Sequence, residues 1–242
     1  MRASPPQVAG RNTPWRDGIV GAESYARRVS PDLSRRIVAD ARDRVAWTRA
    51  RSRGITATDV AGLSSAAVVA RVARDKLIGS DFSGNAYTVH GRRREPQIAR
   101  WVAATHGIEP STACFHAARE TRHLATPDGL AEDPSGRIVL CEIKTTNKTW
   151  RSIPRSYLRQ VWWQQYVLGA ERTLVVWEQH DGFVPTADEP RCAWVDRDAE
   201  QIRTLIGLAD AVIDELHRRW AADRPPAETG PHSGRRALAL AD

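Results

Sequence analysis

The residues best suited to chemistry stand in the run RIVLCEIKT, where Glu142 and Lys144 are two positions apart. The apolar residues ahead of them predict a strand, and strand residues i and i+2 share one face. A carboxylate and an ammonium on a partly buried face are costly unless they pair or bind something. A structural ion pair is one reading. A second comes from Asp128, fourteen residues ahead of Glu142 in ATPDGL. A hairpin between the two segments sets Asp128 beside the strand of Glu142. Two carboxylates and a lysine on adjacent strands can hold a hard divalent cation such as Mg²⁺ through carboxylate oxygens and water. Such a cation polarises a phosphate and makes a hydroxide nucleophile accessible. Lys144 then orients water or offsets charge building on the phosphate.

The elements that carry these residues follow from pattern. Residues 31–50 read as one helix with Leu33, Ile37, Val45 and Trp47 inward. Thr56 and Thr58 are candidate caps for a helix starting near Asp59, which a second helix ending at Gly79 follows. GNAYTVHGRRR reads as a loop, and Pro96 suits the first turn of a helix that stops near Gly107. That helix carries Glu95 at its start. Strands are expected around 113–118 and 122–132, a turn at DPSG, and the strand of Glu142 after it. A helix ending at Gly169 puts Tyr157 and Gln160 on one face at i and i+3. Asp128-Gly129 by itself reads as a turn. Two further strands and a long amphipathic helix (Ile202, Leu205, Ile206, Ala209, Val212, Ile213, Leu216) complete an α/β chain of the α+β type. The element order predicts a mixed sheet flanked by helices in one domain, over 31–222. Residues 1–30 read as a flexible basic segment and 223–242 as a disordered tail.

Composition narrows the function classes. The chain has 242 residues and a net charge of +7. Residues 1–54 hold twelve arginines against five acids, which is the whole excess. A basic layer on a neutral body points to a polyanion such as nucleic acid, or to a solvated basic helix. No run of 18 apolar residues exists, so no membrane contact is expected. Cys114, Cys141 and Cys192 are scattered, which fits a reducing cytoplasm and excludes a disulfide framework or a CxxC metal site. Trp162 and Trp163 read as packing residues, and the histidines show no metal-ligand spacing.

Taken in order, these motifs resemble a known family. PD at 127–128 with EIK at 142–144 is the PD-(D/E)xK nuclease pattern. Trp47 and Arg51 followed by ITAT at 55–58, then Glu95, TPDG at 126–129, EIK, and Tyr157 with Gln160, resemble the YqaJ-like viral recombinase nucleases, whose best-known relative is phage lambda exonuclease. The resemblance runs from Trp47 to Val176. It implies a restriction-endonuclease-like core and a Mg²⁺-dependent exonuclease, with Mn²⁺ a substitute and one or two ions per site. Such an enzyme degrades the 5′ strand from duplex DNA ends in phage or prophage recombination. It further implies a single-strand annealing protein as partner and a homo-oligomer, trimeric in lambda-type members. Asp128, Glu142, the carbonyl of Ile143 and Glu95 would then serve the metal. Lys144, Gln160 and Tyr157 would serve the water and the scissile phosphate, and Arg51, Thr58 and Thr126 a terminal 5′-phosphate, with Arg53 an alternative to Arg51. Thr stands at 58 and 126 where the lambda-type pattern has Ser. The rival readings are a site- or structure-specific endonuclease of the same superfamily in defence or repair, and a non-catalytic DNA-binding module.

Overall fold

A computed structural model describes residues 29–78 and 84–222. The sequence expectations for residues 1–28 and for the tail from 223 lie outside them, as does the Gly79 helix end. Pro31–Arg35 forms α1 and Ile37–Asp40 forms β1. Arg44–Ser52 is α2, Ile55–Thr56 β2, Ala57–Gly62 α3 and Ala66–Ile78 α4. The long helix α5 spans Ala86–His106, followed by β3 (Glu109–Pro110), β4 (Ala113–His116), β5 (His123–Ala125), β6 (Gly129–Glu132) and β7 (Ile138–Thr146). Then come α6 (Arg155–Leu168), β8 (Arg172–Asp181), β9 (Val184–Pro185), β10 (Arg191–Asp196) and α7 (Ala199–Ala222).

The strands make two mixed sheets. The larger runs β10-β8-β7-β6-β3, with β9 on β8; the smaller runs β1-β4-β5-β2. In the larger sheet β7 and β8 are parallel and the other pairings along the path are antiparallel. Strand alternation then separates two cores. Cys141, Ile143, Leu174 and Val176 face α5 and its Ile98 and Val102. Leu140 and Val175 face the opposite way, into the cluster with Val161, Trp163 and Val167 of α6 and Ile202, Leu205 and Val212 of α7. Each such aliphatic side chain contributes about 1.5–3 kcal/mol when fully buried. Glu142 and Lys144 have the parity of Leu140, so they point toward α6.

Three expectations change. Residues 31–50 are not one helix, because β-branched Ile37 and its neighbours pair with β4 (Ile37 opposite Phe115, Asp40 opposite Ala113). Asp43 then caps a new start, accepting from Val45 and Ala46 N–H at 3.1 and 3.0 Å. Helix α5 begins at Ala86, not at Pro96. Asn85 accepts from Thr88 N–H at 3.1 Å and Thr88 Oγ1 takes the Asn85 N–H at 3.4 Å, a reciprocal cap that starts the helix early. Pro96 lies inside it, which leaves the Arg92 carbonyl without its helical donor. Finally, 122–132 is not a single strand. Thr126-Pro127-Asp128 interrupts it, and β5 and β6 belong to different sheets.

One of the N-terminal arginines, Arg36, holds the fold. Arg36 donates to the carbonyls of Val167 at 2.7 Å and Leu168 at 3.3 Å, a cation on the C-terminus of α6.

Candidate active site

The crossing from the small sheet to the large one positions the chemistry. Thr126 follows β5 and Asp128 precedes β6, so both sit at the seam between sheets. Gly129 pairs with Cys141, and continuing that antiparallel register puts Asp128 opposite Glu142. Asp128 N–H donates to the Cys141 carbonyl at 3.1 Å, and its Oδ2 accepts from Ile143 N–H at 2.7 Å. Gly129 is not a turn residue: it lies in β6 without positive φ. A methyl added there would stand 2.9 Å from Cys141 Cβ, so its role is close approach of strands.

Asp128, Glu142, Lys144, Glu95 and Gln160 line one cleft of about 460 Å³. Arg51, Thr58 and Thr126 line the same cleft. Glu142 is 5% exposed. Lys144 Nζ pairs with its Oε1, and Gln164 Nε2 donates to its Oε2 at 2.6 Å. Tyr157 does not line the cleft. Its ring lies 5.1 Å from Lys144 Nζ and packs on Trp150, which stacks on Trp177.

The electrostatics are those of crowded acids. Asp128 keeps a partly exposed edge on the cleft, yet protein atoms surround it. Burial, then Glu142 and Glu95, push its carboxyl well above the ordinary range. Glu95 is raised by burial and by Glu142. Burial opposes the charge of Lys144, but Glu142 and Asp128 more than offset this and hold the ammonium above the usual lysine value. The carboxylates of Asp128, Glu142 and Glu95 offer an all-oxygen donor set, which suits a hard cation. Among the described residues no group of three His, Cys, Asp or Glu is already gathered as a ligand set. Lys144 and Gln164 each engage one oxygen of Glu142, which leaves a further lone pair on each oxygen for a cation.

The basic wall is built on α2 and α3. Arg44 and Arg51 both lie over the Trp47 ring, their guanidinium carbons 4.6 and 4.3 Å from its centroid. Arg51 Nη2 approaches Thr58 Oγ1 at 3.4 Å. Thr56 alone caps α3, in a capping box with Asp59. Thr58 is thereby left for the cleft. Thr126 Oγ1 is buried beside the Cys114 thiol and has no other partner. Arg53 is not in this cleft. It ends α2 and lines a separate depression with Gly54 and Arg122.

Arg44, Arg92 and Gln164 are among the cleft residues that went unread in the sequence. Spacing held a signal for each. Gln164 lies four residues past Gln160 on the same helical face, while Arg44 and Arg92 precede Trp47 and Glu95 by three.

Solved structures similar to this chain include exonucleases. The chain is similar to LHK-Exo in complex with dAMP at 26% identity, over 73% of this chain and 94% of that one, with a TM-score of 0.59. A second structure of LHK-Exo, an alkaline exonuclease from Laribacter hongkongensis, gives 25% identity, 73% and 97% coverage, and a TM-score of 0.56. A phage related exonuclease from Haemophilus somnus 129PT shares the fold, at 14% identity, 70% and 96% coverage, and a TM-score of 0.54. No curated protein sequence matches the chain. Residues 46–171, more than half of its length, match the YqaJ-like viral recombinase domain. With Trp47, Arg51, Asp128, Glu142, Lys144 and Gln160 all inside that span and converging on one cleft, this chain belongs to the YqaJ-like viral recombinase domain family.

Proposed function

We propose that this protein is a Mg²⁺-dependent DNA exonuclease that degrades the 5′ strand from duplex ends, 5′ to 3′, in phage- or prophage-type recombination. The observation that carries the reading is the shared cleft. Asp128, Glu142, Glu95 and Lys144 lie in one cavity with Arg51, Thr58 and Thr126. A nuclease that cuts within duplexes has no use for a pocket that grips a chain end.

Asp128, Glu142, Glu95 and the Ile143 carbonyl would hold the cation, one or two ions, with Mn²⁺ able to replace Mg²⁺. Bound there, the cation supplies Lewis-acid polarisation of the scissile phosphate and lowers the pKa of water. The chain's own groups do the rest. Lys144, kept protonated by its acidic neighbours, donates to the attacking water and to the phosphate oxygens. Tyr157 supports the Lys144 ammonium through its ring face. Gln160, 9% exposed with an unpartnered Oε1, faces the nucleophile. Arg51, with the hydroxyls of Thr58 and Thr126, takes the terminal 5′-phosphate; a guanidinium fork suits a phosphate. Arg44 and Arg92 add positive charge along the DNA backbone. The family resemblance adds a single-strand annealing protein as partner and a homo-oligomeric, trimeric assembly. Light scattering of the purified chain and co-purification with the annealing protein check these. Among the described residues no helix is long and apolar enough to cross a membrane, in keeping with action on cytoplasmic DNA.

The test is digestion of linear duplex DNA with and without a 5′-phosphate, beside a closed circle, in Mg²⁺ and in EDTA. The reading expects loss of the linear 5′-phosphorylated duplex, only with Mg²⁺. Cutting of the circle would make the protein an endonuclease, and binding without cutting a DNA-binding module.

A further inference from the structure

Gln164 is 2% exposed and lines the cleft. Its Nε2 donates to Glu142 Oε2 at 2.6 Å, while Lys144 takes the other carboxylate oxygen. Its Oε1 is buried and has no partner, as is true of Gln160 and Gln165 on the same helix, so what distinguishes these glutamines is where their amide N–H groups go. Gln165, the next residue, shows what a structural glutamine does here. It turns away from the cleft and ties α6 to Thr173 Oγ1 at 3.1 Å and the Val195 carbonyl at 2.9 Å. Gln164 instead gives its donor to the central carboxylate, inside the cleft.

We propose that Gln164 is a positioning residue for cation binding, an inference that rests on the metal-dependent reading above. Its N–H holds Glu142 in the orientation a ligand needs, so that the carboxylate does not swing away when a cation approaches. Residues that orient a ligand in this way commonly change metal affinity by about 10–100-fold.

The experiment is Mn²⁺ binding to the full-length, DNA-free protein, followed by electron paramagnetic resonance of the free ion, with thermal melting in parallel. The variants are Gln164→Met, which keeps shape and removes the donor, and Gln165→Met as the structural control. The expected result is Mn²⁺ affinity weakened about 10–100-fold in Gln164→Met with a melting point within a few degrees of wild type. Gln165→Met should lower the melting point and leave affinity unchanged. Equal affinity of Gln164→Met and wild type would overturn the inference while leaving the metal-dependent reading standing. Wild type that binds no Mn²⁺ would overturn that reading itself. Loss of affinity in both variants, in step with their stability, would reduce Gln164 to a packing residue.

Discussion

Replacing Gly129 with alanine tests whether close strand approach, rather than a turn, is why glycine follows Asp128. The new Cβ would sit 2.9 Å from Cys141 Cβ, 3.1 Å from Ile108 Cγ2 and 3.3 Å from the Glu109 carbonyl oxygen. Carbon atoms in contact prefer about 3.5–4.0 Å, so β6 has to back away by roughly 0.6–1.1 Å. Neither neighbour can yield, since Cys141 is 0% and Ile108 2% exposed. Strand β6 is also hydrogen-bonded on both sides, to β3 and β7. Overpacking of this kind costs about 1–3 kcal/mol, or some 2–4 °C of Tm per kcal/mol in a chain of this size. The displacement reaches the neighbouring Asp128, whose 2.7 Å bond to Ile143 N–H sets its distance from Glu142. A misplacement near 1 Å can cost about 10²-fold in rate. Circular dichroism melting and turnover on linear duplex DNA measure both effects. Gly62→Ala is the control, because nothing lies within 4 Å of its added Cβ; at this helical position it should leave turnover unchanged and Tm unchanged or slightly raised. Wild-type Tm and turnover in Gly129→Ala would refute the argument.

The other predictions concern charge. Glu142→Gln should lower cleavage by on the order of 10²–10³-fold or more while the fold persists; near-normal turnover would reduce Glu142 and Lys144 to a structural ion pair. Arg51→Ala should weaken binding of 5′-phosphorylated ends by about 1.5–3 kcal/mol, the size of a charged hydrogen bond, and leave 5′-hydroxyl ends alone. An unchanged ratio between the two substrates sinks the end-pocket assignment. Asp128 and Glu95 are raised above the ordinary carboxylate range, so a cation competes with protons there, and Mg²⁺ affinity and activity should rise as pH climbs through the raised values. The same shift means the folded state binds these protons more tightly than the unfolded chain. The stability it contributes is complete below the unfolded carboxyl value, about 3.9 for Asp, and lost as pH climbs through the folded one. Asp128→Asn should therefore raise the Tm of cation-free protein at pH 8, and a fall in Tm would contradict that sign. Arg94 holds Glu178 with 2.8 and 2.5 Å bonds, and this pins α5, which carries Glu95, to β8. Glu178→Gln should cost about 3 kcal/mol, at the low end for breaking a buried pair because Arg94 retains some water. Denaturant unfolding measures it, and a loss below about 1 kcal/mol would show that Arg94 is solvated without its partner.

Much of the local structure was legible. An apolar run from Ile138 identified β7, the αL glycines Gly107 and Gly169 ended α5 and α6, and helical spacing marked the buried stripe of α7. The failures share a physical cause. Ile37 and Val38 lie in a segment with helical spacing, and only pairing with β4 makes it a strand. Asn85 and Thr88 read as loop residues until their side chains close on each other's backbone. Thr126-Pro127-Asp128 looks like the middle of one strand, yet it is where the chain changes sheets.

The sequence by itself determined which chemistry was available: two strand carboxylates with a lysine at i+2, a threonine-proline-aspartate step before them, and an arginine-rich first quarter. Spacing alone put Glu142 and Lys144 on one face, because strand parity is local. Only the tertiary structure decided which arginine joins them. Arg51 lies in the last turn of α2 and Arg53 just past its end; the helix turns Arg51 onto Trp47 and Thr58 while Arg53 lines another depression. It likewise decided that Gln164 reaches Glu142 across 22 residues of chain, since such contacts depend on how α6 lies against β7, and no local pattern encodes that docking.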